Sequence, residues 1–147
     1  MIPVEQTISH AVHGNCFEAA LASILEVPLA DVPVWQGDLP WADYKPLLDD
    51  WLEERGLVCY PTPCLPEAQP LSTLDLPPAV FLVGVRTPST WNHALVVRGG
   101  EVLWDPYQQG DPNIGISGWP DPLVDYVFML IPLDPAVTAV ARADIRN

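Results

Sequence analysis

A cysteine, a histidine and an aspartate are the side chains in this sequence whose types and order suit nucleophilic catalysis. Cys16 stands where an irregular lead-in, ending at Gly14-Asn15, gives way to a helical pattern. A helix N-terminus favours the thiolate form of a cysteine, because its unpaired N–H groups and its dipole stabilise negative charge. The Cys16 backbone N–H could also donate to a developing oxyanion. Most cysteines on helices are small buried hydrophobes, so this position alone does not assign a role.

His93 and Asp105 lie on two predicted strands that are joined by a glycine pair. Gly99-Gly100 between two apolar segments is a strong hairpin signal. A three-residue Arg98-Gly99-Gly100 loop would put His93 directly opposite Asp105, with Cβ atoms about 4.5–5.5 Å apart. A two-residue loop would put them on opposite faces. If His93 is a base that Asp105 orients, the loop must therefore have three residues. The alternative is that His93 is a histidine at the end of a strand whose hydrogen bonds are made by a neighbouring residue.

The elements that must position these side chains are helices first and an antiparallel sheet afterwards, which predicts an α+β fold. Asn15 is predicted to cap the first helix, with Glu18 as its capping-box partner. Pro28 is expected to end that helix and Gly56 to stop the second. The predicted helices run from 16 to 28 and from about 41 to 55, with Tyr44, Leu47, Leu48, Trp51 and Leu52 on the inner face of the second. The predicted strands are 57–60, 79–85, 92–97, 101–104 and about 125–131, and residues 61–77 are expected to form a turn-rich surface connection.

Length and composition limit the class of protein. A chain of 147 residues predicts one domain, residues 1–147, with a single core. Six basic and 19 acidic residues give a net charge of −13, which should repel nucleic acids and anionic membranes. The absence of a signal peptide or a long apolar run predicts a cytoplasmic protein. Three cysteines, Cys16, Cys59 and Cys64, are an odd number, which favours free thiols over a disulfide scaffold.

The ordered set of Cys16, His93 and Asp105 resembles the papain-like cysteine peptidase superfamily. Its small bacterial and phage members, similar to the double-glycine leader peptidases of bacteriocin exporters, carry this pattern. The matching segments are Gly14–Leu25, Asn92–Val97 and Trp104–Pro106. The resemblance implies a papain-like fold in which the N-terminal helix carries the cysteine and packs on an antiparallel sheet.

The same resemblance implies roles for individual residues. Cys16 would attack a carbonyl, His93 would exchange protons, and Asp105 would fix the imidazole. A glutamine before the cysteine completes the oxyanion hole in the family. Gln6 is the candidate, although it lies ten residues upstream, and His10, nearer the expected spacing, is a substitute.

The leading functional hypothesis is hydrolysis of a peptide or isopeptide bond through a Cys16 thioester, without a cofactor, on a peptide or protein substrate. Deamidation and transglutaminase-like acyl transfer share this acyl-enzyme. The rival is a non-enzymatic inhibitor that binds a partner on the same fold. Asn15, Trp91 and Trp119 are the candidate substrate contacts. His10, His13 and Cys16 at intervals of three suggest zinc, but Cys-x-x-Cys and His-Glu-x-x-His patterns are absent, so we predict no metal.

Overall fold

The computed structural model describes residues 1–8, 14–35, 39–61, 65–86, 92–108 and 121–133, which fold into two helices packed against an antiparallel sheet. This is the predicted α+β arrangement. The helices are α1 (Cys16–Leu25) and α2 (Trp41–Glu53). The strands are β1 (Leu57–Pro61), β2 (Gln69–Pro70), β3 (Val80–Arg86), β4 (Asn92–Arg98), β5 (Glu101–Trp104) and β6 (Leu123–Pro132). Neither helix in these ranges has the length and apolarity needed to cross a membrane.

Helix α1 begins at Cys16, as predicted, but it ends before Pro28. Its last residue is Leu25, because Glu26 adopts the left-handed conformation (φ 56°) and returns its N–H to the Ala22 carbonyl. The carboxylate of Glu26 also pairs with the terminal amino group of Met1. The helix is buried along most of its length, and its small side chains let it lie close to the sheet. These small buried residues are Ala19, Ala20, Ala22 and Ser23.

Helix α2 packs with a narrower face than its sequence pattern predicts. Tyr44, Leu48 and Leu52 are buried, at spacings of four residues. Leu47 was expected on this face, but it is more than half exposed, since it lies a quarter-turn away from the buried row. Trp51 is half-buried at the margin.

The sheet has six strands within the described ranges, in the order β1-β6-β3-β4-β5, with β2 paired to β6 beside β1. All of these pairs are antiparallel. The central strands β3 and β4 are continuous apolar runs because both of their faces are covered. Residues 61–77 were expected to form a surface connection, but part of this segment belongs to the sheet. It contains β2, and Leu71 is buried on the sheet face that lies away from the helices.

Alternating side chains of the sheet build two separate apolar clusters. The helix-facing cluster joins α1 and α2 to one face through Phe17, Leu21, Tyr44, Leu48, Leu82, Ala94, Val96 and Phe128. The opposite cluster consists of Leu71, Phe81, Val83, Val85, Leu95, Val97, Val124 and Val127. Phe17, the residue after Cys16, packs edge-on against Phe128. The start of α1 is thereby fixed on the sheet.

Gly84 in β3 is required by close packing, because the Tyr126 ring of its partner strand lies across it. A Cβ at this position would overlap the ring. We expect Gly84→Ala to lower the free energy of unfolding by about 1–3 kcal/mol, the usual range for overpacking. Urea denaturation measures the loss.

Gly100→Ala is the matched control, because its new methyl would find no atom nearer than 3.9 Å. The loss at Gly84 should shrink in a Tyr126→Ala background, where the ring is gone. Equal losses at the two glycines would contradict the role assigned to Tyr126.

Candidate active site

The hairpin that carries His93 differs from the predicted one. Arg98 pairs directly with Glu101, so the turn is the two-residue Gly99-Gly100, and the prediction of a three-residue loop was wrong. The register then shifts: Val97 pairs with Val102 and Val96 pairs with Trp104.

Leu103 is the extra residue in this β-bulge. One added residue exchanges the two faces for everything that follows it. A two-residue turn alone would put His93 and Asp105 on opposite faces of the hairpin. The bulge puts them back on the same face. His93 and Asp105 consequently come together, although not through the direct cross-strand pairing that was expected.

The imidazole of His93 and the carboxylate of Asp105 form a short, buried hydrogen bond. His93 Nε2 lies 2.6 Å from Asp105 Oδ1, and the two side chains are only 3% and 12% exposed. The same Oδ1 accepts the Tyr107 N–H at 2.8 Å, an Asx-type turn that fixes the carboxylate before Pro106. The Asp-Pro dipeptide was a turn signal in the sequence, but Tyr107 was not identified as part of the site.

Cys16 completes this arrangement from the other side of the ring. Its thiol lies beside the His93 imidazole and contributes to raising the pKa of the ring. Because Nε2 is bonded to Asp105, Nδ1 is the nitrogen left for the thiol. Cys16 is the first residue of α1 and is partly exposed, whereas His93 behind it is buried. A reagent can therefore reach the sulfur without displacing the base.

The surroundings of His93 favour its protonated form. Burial lowers the pKa of the imidazole, but the hydrogen bonds to Asp105 and Cys16 and the charges of these two groups outweigh burial and raise the pKa to about 9. In contrast, burial raises the pKa of the other described thiol, Cys59, to about 11 and keeps it neutral. The site therefore favours an imidazolium beside Cys16.

Asn15 occupies the predicted N-cap position of α1, but the predicted capping box is wrong. Asn15 makes no side-chain hydrogen bond to the helix. Its Oδ1 accepts the N–H groups of Thr7 and Ile8, both at 3.0 Å, and its Nδ2 donates to Thr7 Oγ1. Glu18, its expected partner, accepts the Trp35 N–H at 2.7 Å instead. Both side chains serve long-range contacts, so the Asn15 side chain leaves the first N–H groups of α1 uncapped.

Asn15 is 8% exposed, and its amide holds the N-terminal segment. The expected contact of Asn15 with a substrate stays a prediction.

Gln6 is brought to the site by this segment. Its backbone N–H donates to the Pro106 carbonyl at 2.9 Å, next to Asp105. The Ile8 carbonyl accepts both the Asn15 N–H and the Gln6 Nε2, each at 3.3 Å. The ten-residue separation from Cys16 is thus closed by the fold. Thr7 and Trp104, whose Nε1 bonds the Val4 carbonyl at 3.0 Å, were not anticipated as anchors of this segment.

Several predicted residues fall outside the described ranges. They are His10, His13, Cys64, Trp91 and Trp119. Three predictions therefore stay predictions: that His10 is the substitute for Gln6 in the oxyanion hole, that the His10, His13 and Cys16 pattern binds no metal, and that Trp91 and Trp119 contact the substrate. Within the described ranges, no group of three or more His, Cys, Asp or Glu side chains is arranged so that it could hold a metal ion.

Comparisons of the chain with protein-family models, with curated proteins and with solved structures found no match. The roles of these residues must therefore be argued from their geometry.

The raised pKa of His93 predicts a pH-dependent stability. An unfolded histidine titrates near pH 6.5, so the contribution of His93 is complete below about pH 6.5 and is lost as the pH rises through about 9. We expect the free energy of unfolding to fall by an amount on the order of 3 kcal/mol over this interval. Urea denaturation at several pH values measures the fall.

Asp105→Asn should make this fall smaller, because the amide no longer stabilises the imidazolium. Asp121→Asn is the control, since Asp121 bonds Ser72 rather than a histidine. Cys59 adds a loss in the same direction at higher pH in every variant. An Asp105→Asn protein with the same pH dependence as the control would contradict the assignment.

The Asn15 contacts predict a graded loss of stability. Asn15→Ala leaves the Thr7 and Ile8 N–H groups without their acceptor and should cost about 2 kcal/mol in the free energy of unfolding. Asn15→Asp keeps an acceptor oxygen in place and should cost clearly less. Urea denaturation of the two variants tests this order, and equal losses would show that the acceptor contacts are unimportant.

Proposed function

We propose that this chain is a papain-like thiol hydrolase that cleaves a peptide or isopeptide bond through a Cys16 thioester. The observation that carries the proposal is the series Cys16–His93–Asp105, in which Asp105 is hydrogen-bonded to the imidazole and Cys16 lies close enough to raise the pKa of the ring. A nucleophile, a base and a group that orients the base are the three functions that acyl transfer requires.

The environment of each group suits its proposed role. The partly exposed thiol lies at the N-terminus of α1, where the helix dipole favours an anion. The buried Asp105 carboxylate both orients His93 and favours its protonated form. The peptide N–H of Cys16, which the Asn15 side chain does not cap, is a donor for the oxyanion.

The proposed reaction follows from these assignments. The Cys16 thiolate attacks the substrate carbonyl, and a C–S bond forms. The tetrahedral intermediate then expels the amine, which takes the proton from His93. The neutral imidazole next removes a proton from water and keeps it. The hydroxide attacks the thioester, the C–S bond breaks, and the Cys16 thiolate and the acid product are released.

Alkylation of Cys16 tests the activation of the nucleophile. At pH 6 a free thiol of pKa about 8.5 is less than about 1% ionised. We expect iodoacetamide to modify Cys16 at pH 6 at least about tenfold faster in the wild type than in His93→Ala, because the imidazolium stabilises the thiolate. Mass spectrometry resolves the modified positions, and buried Cys59 serves as the internal slow thiol.

Asp105→Asn provides a second variant that keeps the size of the side chain and should also slow the reaction. Asp121→Asn should leave the rate unchanged. Peptide p-nitrophenyl esters should then leave an acyl group on Cys16 that mass spectrometry detects. If Cys16 reacts as slowly in the wild type as in His93→Ala, the hydrolase proposal fails, and the protein would be examined as an inhibitor that binds a partner.

A further inference from the structure

The carboxamide of Gln6 contains a buried polar atom that its surroundings leave unused. The side chain is 5% exposed, and its Nε2 donates to the Ile8 carbonyl. Its Oε1 is buried and has no hydrogen-bond partner in the described part of the chain. An unpaired buried acceptor destabilises a fold, so such an atom calls for an explanation.

The orientation of this amide follows from its one hydrogen bond. Turning it over would place Oε1 against the Ile8 carbonyl oxygen, so that two acceptors would meet at the present 3.3 Å contact. The nitrogen therefore faces Ile8, and the oxygen is the atom of the amide that is buried without a partner.

The hydrogen bonds of Gln6 place this residue beside the two segments that carry the proposed catalytic groups. The Ile8 carbonyl that holds Gln6 Nε2 also accepts the Asn15 N–H, one residue before Cys16. The Gln6 backbone is bonded to Pro106, one residue after Asp105. The side chain thus lies between the segment that carries the nucleophile and the segment that carries the orienting carboxylate.

We propose that Gln6 Oε1 accepts a hydrogen bond from an N–H of the substrate, and that the site thereby selects amides over esters. The inference rests on the proposed function, since it places a substrate carbonyl at Cys16. It differs from the oxyanion role that the family resemblance implies, in which the glutamine donates. A carbonyl oxygen facing an oxyanion would repel it, so the acceptor suits the nitrogen side of the substrate.

The selectivity has a direct physical cause. An amide presents an N–H to Oε1 and satisfies it, whereas an ester presents an oxygen and leaves the buried acceptor unpaired. Sites that are built to hydrogen-bond a substrate N–H discriminate strongly against analogues that lack it. Neither the substrate N–H nor Gln6 Oε1 carries a charge, so the preference should not depend on the net negative charge of the protein.

A pair of small reagents tests the inference on the full chain. Iodoacetamide carries N–H groups, and methyl iodoacetate has the same carbonyl without them. The rates of Cys16 alkylation by the two reagents are measured by mass spectrometry, and their ratio is divided by the ratio for N-acetylcysteine. We expect this normalised amide preference to be about fivefold in the wild type, the effect of one hydrogen bond.

Two variants separate the atoms of the carboxamide. Gln6→Met has a similar size and no acceptor, and its normalised preference should fall to about one. Gln6→Glu keeps an acceptor oxygen and loses the amide donor, and it should retain the preference. Gln6→Met removes the unpaired buried oxygen together with the Nε2–Ile8 hydrogen bond, so the midpoint of thermal unfolding should change little. A purely structural Gln6 would lower the midpoint.

Each failure has its own signature. An amide preference that persists in Gln6→Met overturns the acceptor role. Loss of the preference in both variants overturns it as well and assigns the interaction to the Nε2 donor. If the proposed hydrolase function itself is wrong, both reagents will modify wild-type Cys16 as slowly as they modify His93→Ala; if only the inference is wrong, modification will remain fast.

Discussion

The hydrogen bond between His93 Nε2 and Asp105 Oδ1 constrains the parts of the fold that surround it. An imidazole that is 97% buried must be paired, because an unpaired ring in this position would destabilise the protein. The bulge at Leu103 puts His93 and Asp105 on the same face of the hairpin, which a two-residue turn alone would not do. The Tyr107 N–H donates to the Asp105 carboxylate and holds it in place. Local irregularities of the hairpin are therefore explained by one buried polar contact.

The elements that carry Cys16 and His93 are held together by a third segment rather than by a shared loop. Residues 1–8 bond α1 at Ser23, through the Ile2 and Val4 N–H groups, and bond the end of the hairpin at Trp104 and Pro106. Asn15 then ties the same segment to the start of α1. These contacts fix the distance between the helix and the hairpin, on which the Cys16–His93 contact depends. They also explain why a glutamine distant in sequence lies beside the site.

The sequence predicts what local patterns determine, and it fails where a distant partner competes with a local preference. The start of α1 at Cys16 and the strands beside Gly99-Gly100 follow from periodicity and turn chemistry. The turn length does not, since the bulged Leu103 is an ordinary apolar residue in an apolar strand. Asn15 and Glu18 have the right types and spacing for a capping box, yet Thr7, Ile8 and Trp35 bind them instead. The strand order, with β6 between β1 and β3, depends on long-range pairing that no local pattern encodes.

In the proposed reaction, the pKa of His93 changes on acylation, because one of its two partners, Cys16, loses its charge while the other, Asp105, does not. Before acylation, the hydrogen bond and the charge of Cys16 add to those of Asp105 and raise the pKa of His93. A thioester is neutral, so acylation removes the contribution of Cys16 while burial and Asp105 remain. The pKa of the imidazole then falls, and the proton leaves with the amine. In the proposed reaction, His93 would consequently be an acid when the amine must be protonated and a base when water must attack.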